Sequence, residues 1–357
     1  YRYTGEGPGE IDLTANISKA DGTAVWRYMP KAVNQEARDW LKRGIVSGSA
    51  GDAKLTLRGN LQDFPFRDRS KGIFLITAKA KGVRLDYAPG WPALTGVDAD
   101  MRFGAGMRIE ANAGNILGTK ILRATAEIPD FEADERLLVQ GAVEGQTGEF
   151  LKFIDQSPVA ESIDRFTDGM RAIGNGRLDL KLDMPLRHVI DTQVSGNYHF
   201  LANQVTVAPG MPAIAQVNGQ LDFTEHSITA KEITGHVLGA PMRLSIKNEG
   251  PKVQVGISGG ATAKELRKFL DTPLLDQVSG ATAWKGEVQV KKKTAEFVIE
   301  SNLLGLSSTL PEPFAKSATA ALPFRLEKGA LPKAADGLDR ESIKITLKGV
   351  LEAQLQR

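Results

Sequence analysis

Apolar and polar residues alternate one by one through many short stretches of this chain. Residues 97–103 (Val-Asp-Ala-Asp-Met-Arg-Phe) alternate strictly, and similar stretches recur along almost the whole sequence. Such alternation puts successive side chains on opposite faces of a β-strand, so each stretch predicts a strand with one apolar and one polar face. We therefore expect a mainly β protein with a few short helices.

Three helices are expected between the strands. Thr262 and Glu265 have the spacing of a capping box at the start of the third helix. A region rich in Pro, Ala and Ser at 305–337 predicts a structured loop. The helices are placed near residues 35–43, 147–171 (broken at Pro158) and 263–278. Strands are placed after them at 53–58, 177–182 and 282–290, with a last strand at 342–347.

A long internal repeat is visible in the sequence. Residues 87–94 (YAPGWPAL) return as residues 207–214 (VAPGMPAI), an offset of 120 positions (207 − 87). Units that repeat in this way stack their strands on one another and extend a common sheet. The expected division is 1–60, the end of a truncated unit; 61–186, a first full unit; 187–293, a second; and 294–357, the start of a further unit.

The apolar faces of these strands outnumber the helices available to cover them. We therefore expect an elongated, curled antiparallel sheet whose apolar side forms an open groove. A large exposed apolar surface of this kind normally marks a binding site. An ordinary sandwich core is the alternative interpretation, and the low aromatic content of 6% weighs against it. The candidate groove residues are Leu55, Leu57, Val83, Leu85, Val97, Met101, Phe103, Leu178, Leu180, Leu182, Val217, Leu221, Phe223, Val253, Val255 and Ile257.

Charge and composition exclude several functional classes. The 45 Lys and Arg residues nearly balance 43 Asp and Glu, and they are scattered, so a nucleic-acid partner is not expected. The chain has no cysteine, which excludes disulfides and thiolate chemistry. It has neither a membrane-spanning apolar run nor a signal peptide, and both ends read as strand interiors, so we expect a piece of a longer protein.

The catalytic candidate is a G-x-S-x-G motif at residues 256–260. The repeat aligns Glu144 with Ser258, so the other copy lacks the nucleophile, and glycines at a strand-to-helix turn explain the match. The four histidines show no zinc-ligand spacing. We expect no enzyme activity, no cofactor and no metal site.

Several blocks in order carry a family resemblance. They are Met29-Pro30, 37–41 (ARDWL), 51–61 (GDAKLTLRGNL), 64–66 (FPF), 72–91 and 305–316 (GLSSTLPEPFAK). Together they resemble the YhdP group of the AsmA-like (AsmA/TamB-type) family of bacterial envelope proteins. The resemblance covers most of the chain, and each block alone would be weak.

The resemblance implies a function in the Gram-negative envelope. It implies a periplasmic section of a protein that is anchored in the inner membrane by a segment outside this chain. Such proteins carry phospholipid toward the outer membrane along a groove of repeated β-units, and they have no catalytic residues. The implied partners are phospholipid acyl chains, the inner membrane and an unidentified docking partner in the periplasm or outer membrane. A scaffold protein of the envelope with a dry β core remains the alternative.

Overall fold

The expected mainly β architecture is confirmed in a computed structural model, which describes residues 1–3, 5–29, 33–249, 252–291, 294–331 and 340–356. The strands found there are β1 Glu10–Asp21, β2 Ile45–Asn60, β3 Gly72–Leu85, β4 Leu94–Phe103, β5 Met107–Ile116, β6 Thr119–Ile128, β7 Arg136–Gln146, β8 Arg171–Pro185, β9 Gln193–Thr206, β10 Ile214–Thr224, β11 Ile228–Val237, β12 Ala240–Glu249, β13 Lys252–Thr262, β14 Val278–Lys291, β15 Thr294–Ser301, β16 Leu306–Ser308, β17 Phe324–Leu331, β18 Arg340–Leu347 and β19 Leu351–Gln356. The α-helices are α1 Gln35–Gly44, α2 Thr147–Asp155, α3 Val159–Ser162 and α4 Ala263–Leu270.

The chain forms two compact units. The first contains Tyr1–Pro158 and Arg177–Gly196, and the second contains Val159–Gly176 and Asn197–Arg357. In the first unit, β1 to β7 pair in sequence order, each strand antiparallel to the next. In the second, β10 to β15 do the same and β17, β18 and β19 follow. The described registers pair neither β1 with β7 nor β10 with β19, so neither series closes on itself.

Alanine is common among the buried apolar residues of both units. In the first unit Ala80, Ala99 and Ala111 form a cluster on β3, β4 and β5. In the second unit Val217 packs with Ala230 and Ile233. Residues this small let neighbouring side chains lie close to the sheet, and they fill little volume above it. In each unit this cluster lies on one face of the sheet.

Two of the three predicted helices are shorter than expected. The region 147–171 holds α2 and α3 only, and Arg171 already begins β8. Pro158 has no N–H to continue a helix, and Asp164 and Arg165 adopt left-handed backbone angles after α3. The third helix ends at Leu270 because Asp271 is left-handed, and a 3-10 helix Pro273–Gln277 takes the rest. The first helix agrees with its prediction to within one residue.

The capping box of α4 is only half formed. The Thr262 hydroxyl accepts a hydrogen bond from the Glu265 N–H at 3.3 Å, as the spacing predicts. The Thr262 N–H, however, donates to the Leu238 carbonyl at 3.0 Å, and the Glu265 carboxylate pairs with Lys268. The helix start is thus attached to the turn between β11 and β12.

The region 305–337 is not a loop throughout, which corrects the prediction from its composition. It contains β16, which pairs with the first residues of β14, and β17, which lies between β15 and β18. Residues 332–337 lie outside the described part of the chain. The alternation of Phe324 and Leu326 with Arg325 and Glu327 was the signal for β17, and the neighbouring prolines and alanines obscured it.

Replacing Gly280 by Ala should destabilise the second unit at the β14–β16 pairing. Gly280 has φ +93°, and a Cβ there would lie 2.1 Å from the Gly305 carbonyl oxygen. Backbone strain of this kind costs about 1–3 kcal/mol, so we expect a clear fall in the thermal unfolding midpoint. Gly329→Ala is the matched control, because its Cβ would meet only the Ser342 hydroxyl at 3.9 Å. Equal midpoints for the two variants would contradict the assigned pairing.

Candidate functional site

Apolar residues form continuous rows across the sheet of the first unit. Direct cross-strand partners share a face, so the registers show which side chains lie side by side. One row crosses β2 to β6 through Leu55, Ile76, Phe103, Met107 and Ile128. The neighbouring row crosses β3 to β7 through Ala78, Met101, Ile109, Ala126 and Val139. One face of this sheet is therefore apolar from β2 to β7.

The opposite face of the first unit is polar. The row next to those above passes through Lys54, Thr77, Arg102, Arg108 and Glu127. Arg108 donates to the Glu127 carboxylate across the strands at 2.7 Å. Exposed pairs of this kind contribute little stability, but they favour one register over a shifted one.

The second unit has the same two-faced arrangement over eight strands. Its apolar face contains three adjacent rows, each with one residue from β11, β12, β13, β14, β15, β17, β18 and β19. The first is Ala230, Ile246, Val255, Val288, Phe297, Lys328, Ile343, Leu355. The second is Ile233, Leu244, Ile257, Gly286, Ile299, Leu326, Ile345, Ala353. The third is Gly235, Met242, Gly259, Trp284, Ser301, Phe324, Leu347, Leu351.

Trp284 is the largest side chain in these rows, and it lies close to the sheet. A Cβ on Gly259 would meet its ring at 3.2 Å, and one on Gly286 at 3.6 Å, so the ring covers both glycines. The indole N–H donates to the Gly260 carbonyl at 2.9 Å. The ring thus presents carbon to the apolar side while its polar atom is satisfied.

Most of the candidate groove residues lie on these apolar faces. In the first unit the registers place there Leu55, Leu57, Val83, Leu85, Val97, Met101 and Phe103. In the second unit they place there Val217, Leu221, Phe223, Val253, Val255 and Ile257. Val217 is only 4% exposed, whereas the other twelve are half-buried, so Val217 is a packing residue.

The strand β8 contributes its leucines to the apolar face of the first unit. Asp183 accepts from Arg136 on β7 at 3.0 Å, and Asp179 lies 4.0 Å from Arg123 on β6. These acidic residues therefore belong to the polar face. Alternation along the strand then turns the three remaining candidates to the apolar face, namely Leu178, Leu180 and Leu182.

Sequence reasoning missed a large part of the apolar face in the second unit. Trp284, Phe297, Phe324 and Ile345 are all in its rows, but they were not among the candidates. They belong to β14, β15, β17 and β18, whose alternation is visible in the sequence. The assignment of 305–337 as a loop hid the continuity from β15 to β18.

The chain exposes more surface than a compact protein of its mass would. The chain exposes 21984 Å². A globular protein of 38.5 kDa exposes about 14,000 Å², and two separate globules of half that mass about 17,000 Å². If each unit had a dry, closed core, the total accessible surface would be near these values of about 14,000 to 17,000 Å². Most of the row residues are half-buried, so their apolar surface accounts for part of the excess.

One rim of the apolar face in the first unit, here called the loop rim, is formed by loops 61–71, 104–106 and 129–135. Phe66 is buried against Gly59 and Gly72, and Phe64 packs on Phe74 with ring centroids 5.0 Å apart. The loop between β2 and β3 therefore folds over the end of the apolar face.

An ion-pair cluster joins two loops of this rim. Arg67 donates to Asp130 at 2.6 Å and to Glu132 at 2.8 Å. Arg67 is in the loop between β2 and β3, and Asp130 and Glu132 are in the loop between β6 and β7. Four strands separate these two loops, so in a flat sheet they would be about 19 Å apart. The loops thus lean together over the β4–β5 hairpin, on which the Phe131 N–H also bonds to the Ala105 carbonyl at 2.8 Å. The guanidinium of Arg67 holds the pKa of the Asp130 carboxyl well below its usual range.

The opposite rim of the first unit carries α1 and α2 and is closed by aromatic contacts. The Trp40 indole donates to the Tyr87 carbonyl at 2.9 Å. The Tyr87 ring lies 6.2 Å from Trp91, and Trp91 lies 5.9 Å from Phe153 on α2. Burial, together with Asp86, raises the pKa of the Tyr87 hydroxyl to about 12. At the repeat-equivalent positions of the second unit, Met211 and Phe269 are each 40% exposed.

The profile of the YhdP protein family matches the chain over residues 1–357. The chain belongs to the YhdP family. It is 27% identical over 327 residues to the intermembrane phospholipid transporter YhdP of Escherichia coli (strain K12), a match that covers 89% of this chain. The match covers 26% of that relative, so the chain spans about a quarter of its length. No solved structure matches the chain.

Ser258 of this YhdP-family chain does not have the setting of a nucleophile. The G-x-S-x-G motif lies inside β13 and not at a strand-to-helix turn, which corrects the expectation about its location. The cross-strand partners of Ser258 are Arg243 and Lys285, both on the polar face. These two cations pair with Glu232 and Glu300, each at 3.3 Å, so the serine is part of a charged ladder.

Other candidate site types are not found in the described part of this YhdP-family chain. It contains no group of three or more His, Asp or Glu side chains placed to hold a metal ion. Within the same residues, no helix has the length and apolar character needed to cross a bilayer.

Acid should release the loop rim of the first unit. An Asp whose pKa is lowered on folding stabilises the fold above its unfolded pKa, about 3.9, and that stabilisation is lost as the pH falls. Asp130 also accepts from the Glu132 and Ala133 N–H groups, each at 2.9 Å. After correction for intrinsic exchange, we expect protection of these amides to fall between about pH 5 and about pH 2.

The matched variants are Asp130→Ala and Asp12→Ala. Asp130→Ala should lose the protection already at neutral pH, because the acceptor is gone. Asp12 belongs to an exposed pair with Arg58 at 3.0 Å on another part of the unit, so its removal should leave the loop unchanged. Undiminished protection in Asp130→Ala would show that the cluster does not hold the rim.

Proposed function

We propose that this chain is a section of an intermembrane phospholipid conduit and that its apolar faces bind acyl chains. The relative that it matches is named an intermembrane phospholipid transporter, and the chain corresponds to a quarter of it. The observation that carries the proposal is the apolar face of the second unit, whose rows are continuous over eight strands. The large accessible surface disfavours the alternative, a scaffold with a dry core.

The physical benefit of such a face is the avoided exposure of acyl chains to water. Exposing a dozen methylene groups costs about 10 kcal/mol at about 0.8 kcal/mol each. An apolar row removes much of this cost while the headgroup stays in water. The backbone polar groups remain paired in the strand ladders, so apolar contact leaves no hydrogen bond unmade.

Transport favours many similar weak sites over one deep pocket. The rows consist mainly of Val, Leu, Ile, Ala and Phe side chains of comparable character, and neighbouring rows lie along the same direction of strand succession. A lipid that moves from one strand to the next exchanges one set of apolar contacts for a similar set. We propose the sixteen candidate residues, apart from the buried Val217, as part of this path.

The cellular setting is part of the same proposal. We infer a periplasmic section of a longer protein that is anchored in the inner membrane, with the four segments 1–60, 61–186, 187–293 and 294–357 as parts of successive repeat units. The order of elements supports the repeat: β3 to β7 followed by α2 corresponds to β9 to β13 followed by α4. We infer no catalytic step.

Photocrosslinking from two adjacent residues tests the proposal. Ile257 lies in the second apolar row, and Ser258, the next residue, points to the polar face. p-Benzoylphenylalanine in place of Ile257 should form adducts with phospholipid in the envelope, and the same amino acid in place of Ser258 should not. The adducts are identified by mass spectrometry. Equal labelling from both positions would contradict the proposal. It would also be contradicted if the purified protein carried no phospholipid and did not bind it again after delipidation.

A further inference from the structure

The ammonium of Lys316 is held by two carbonyl groups of the second unit. Its Nζ donates to the Leu306 carbonyl at 2.7 Å and to the Ser317 carbonyl at 3.0 Å. The main chain of Lys316 forms a pair of hydrogen bonds with that of Ser308, at 2.8 and 3.0 Å. The side chain thus ties together the two arms of a short hairpin, residues 304–318, here called the β16 hairpin.

This cation has no carboxylate partner in the described part of the chain. The two carbonyls are neutral groups, and they use two of the three N–H donors of the ammonium. Lys316 is half-buried, and burial lowers the pKa of its ammonium. By contrast, carboxylates raise the pKa of Lys71 and Lys344. An anion placed beside Lys316 would therefore stabilise a charge that the protein itself leaves uncompensated.

A second donor lies on the same face of the hairpin. Ser308 is the direct cross-strand partner of Lys316, so the two side chains project to the same side. The Ser308 Oγ accepts from the Leu310 N–H at 3.3 Å. Among the described residues the hydroxyl has only this bond, so its proton is available to an acceptor from solution. An ammonium and a hydroxyl are donors that suit the oxygens of a phosphate group.

The β16 hairpin also exposes apolar side chains. Leu304 is 47% exposed and Phe314, two residues before Lys316, is 41% exposed. At the tip of the hairpin the Thr309 N–H donates to the Gln277 carbonyl at 2.9 Å. The hairpin therefore combines anion-binding donors with apolar surface, which an amphipathic anion requires.

The hairpin is attached to a strand of the apolar face. Leu306 pairs with Gly280 near the start of β14 and is only 7% exposed. Trp284, four residues further along β14, lies in the third apolar row, which is the outermost row on this side. The donors thus lie at a border of the apolar face, where the polar end of a bound lipid would meet water.

We propose that Lys316, assisted by Ser308, binds the phosphate group of a phospholipid at this border of the second unit. This inference rests on the proposed lipid-binding function and adds a headgroup contact to it. The contact uses the phosphate that all phospholipids share, so it needs no particular headgroup alcohol. Free phosphate has the same donor requirements but gains no apolar contact with Leu304 and Phe314, so affinity separates the two sources.

The test follows binding at the hairpin by NMR of the whole chain after delipidation, through the backbone amides of Ser308 and Lys316. One probe is dihexanoyl phosphatidylglycerol, kept below the concentration at which it forms micelles, and the other is inorganic phosphate. We expect saturable shifts of both amides with the lipid and much smaller shifts with inorganic phosphate at the same concentrations. Equal titrations with the two probes would assign the site to free phosphate and overturn the lipid contact.

Lys316→Gln removes the charge and keeps an amide donor on the side chain. We expect its affinity for the lipid to fall on the order of five-fold, the value of one partly exposed ion pair. Slow hydrogen exchange of the Ser308 amide, which donates to the Lys316 carbonyl at 2.8 Å, checks that the hairpin is intact. Lys316→Arg keeps the charge and should keep the affinity, whether or not the glutamine variant retains this protection.

Lys231→Gln is the matched control, because Lys231 is an exposed lysine of the same unit that lies beside Arg243 on the polar face. It should bind the lipid as the wild type does. Unchanged affinity in Lys316→Gln, or an equal loss in Lys231→Gln or Lys316→Arg, would overturn the role of Lys316. Lipid adducts from position 257 would then leave the conduit proposal standing, whereas a wild type with neither adducts there nor shifts at the hairpin would overturn both.

Discussion

Antiparallel register is the constraint on which the rest of this structure depends. Because side chains alternate with a period of two, a shift of one residue in any strand would move its whole apolar set to the other face. Cross-strand pairs on the polar faces, such as Arg108 with Glu127 and Lys285 with Glu300, disfavour such shifts. As a result, the apolar rows of each unit remain continuous from strand to strand.

A two-faced sheet in water normally buries its apolar face against a second layer. Here the helices are short, and the clusters of buried apolar residues are small. The rims are nevertheless ordered. In the first unit, Arg67 and Asp130 join loops at one rim and Trp91 packs against Phe153 at the other. These contacts fix the borders of the apolar face in the first unit.

The two copies of the repeat share a way of attaching their helices. In the first unit the Glu149 carboxylate on α2 accepts from the Gly118 N–H at 3.1 Å, at the turn between β5 and β6. In the second unit the start of α4 bonds to Leu238 at the equivalent turn between β11 and β12. The copies differ in their aromatic contacts, since Met211 replaces Trp91. A common framework therefore carries rims of different composition.

The sequence alone determined the strands and their two faces, because a period of two is a local property that residues such as 97–103 carry in themselves. Helix ends depended on single residues, Pro158 and Asp271, whose effect on the backbone is stronger than helical periodicity. Tertiary structure decided which strands are neighbours, and it placed β17 between β15 and β18. It also showed that Ser258 lies within a strand and not at a turn. It also brought Lys328 between Phe297 and Ile343, which no local pattern specifies, because cross-strand contacts join residues that are far apart in the chain.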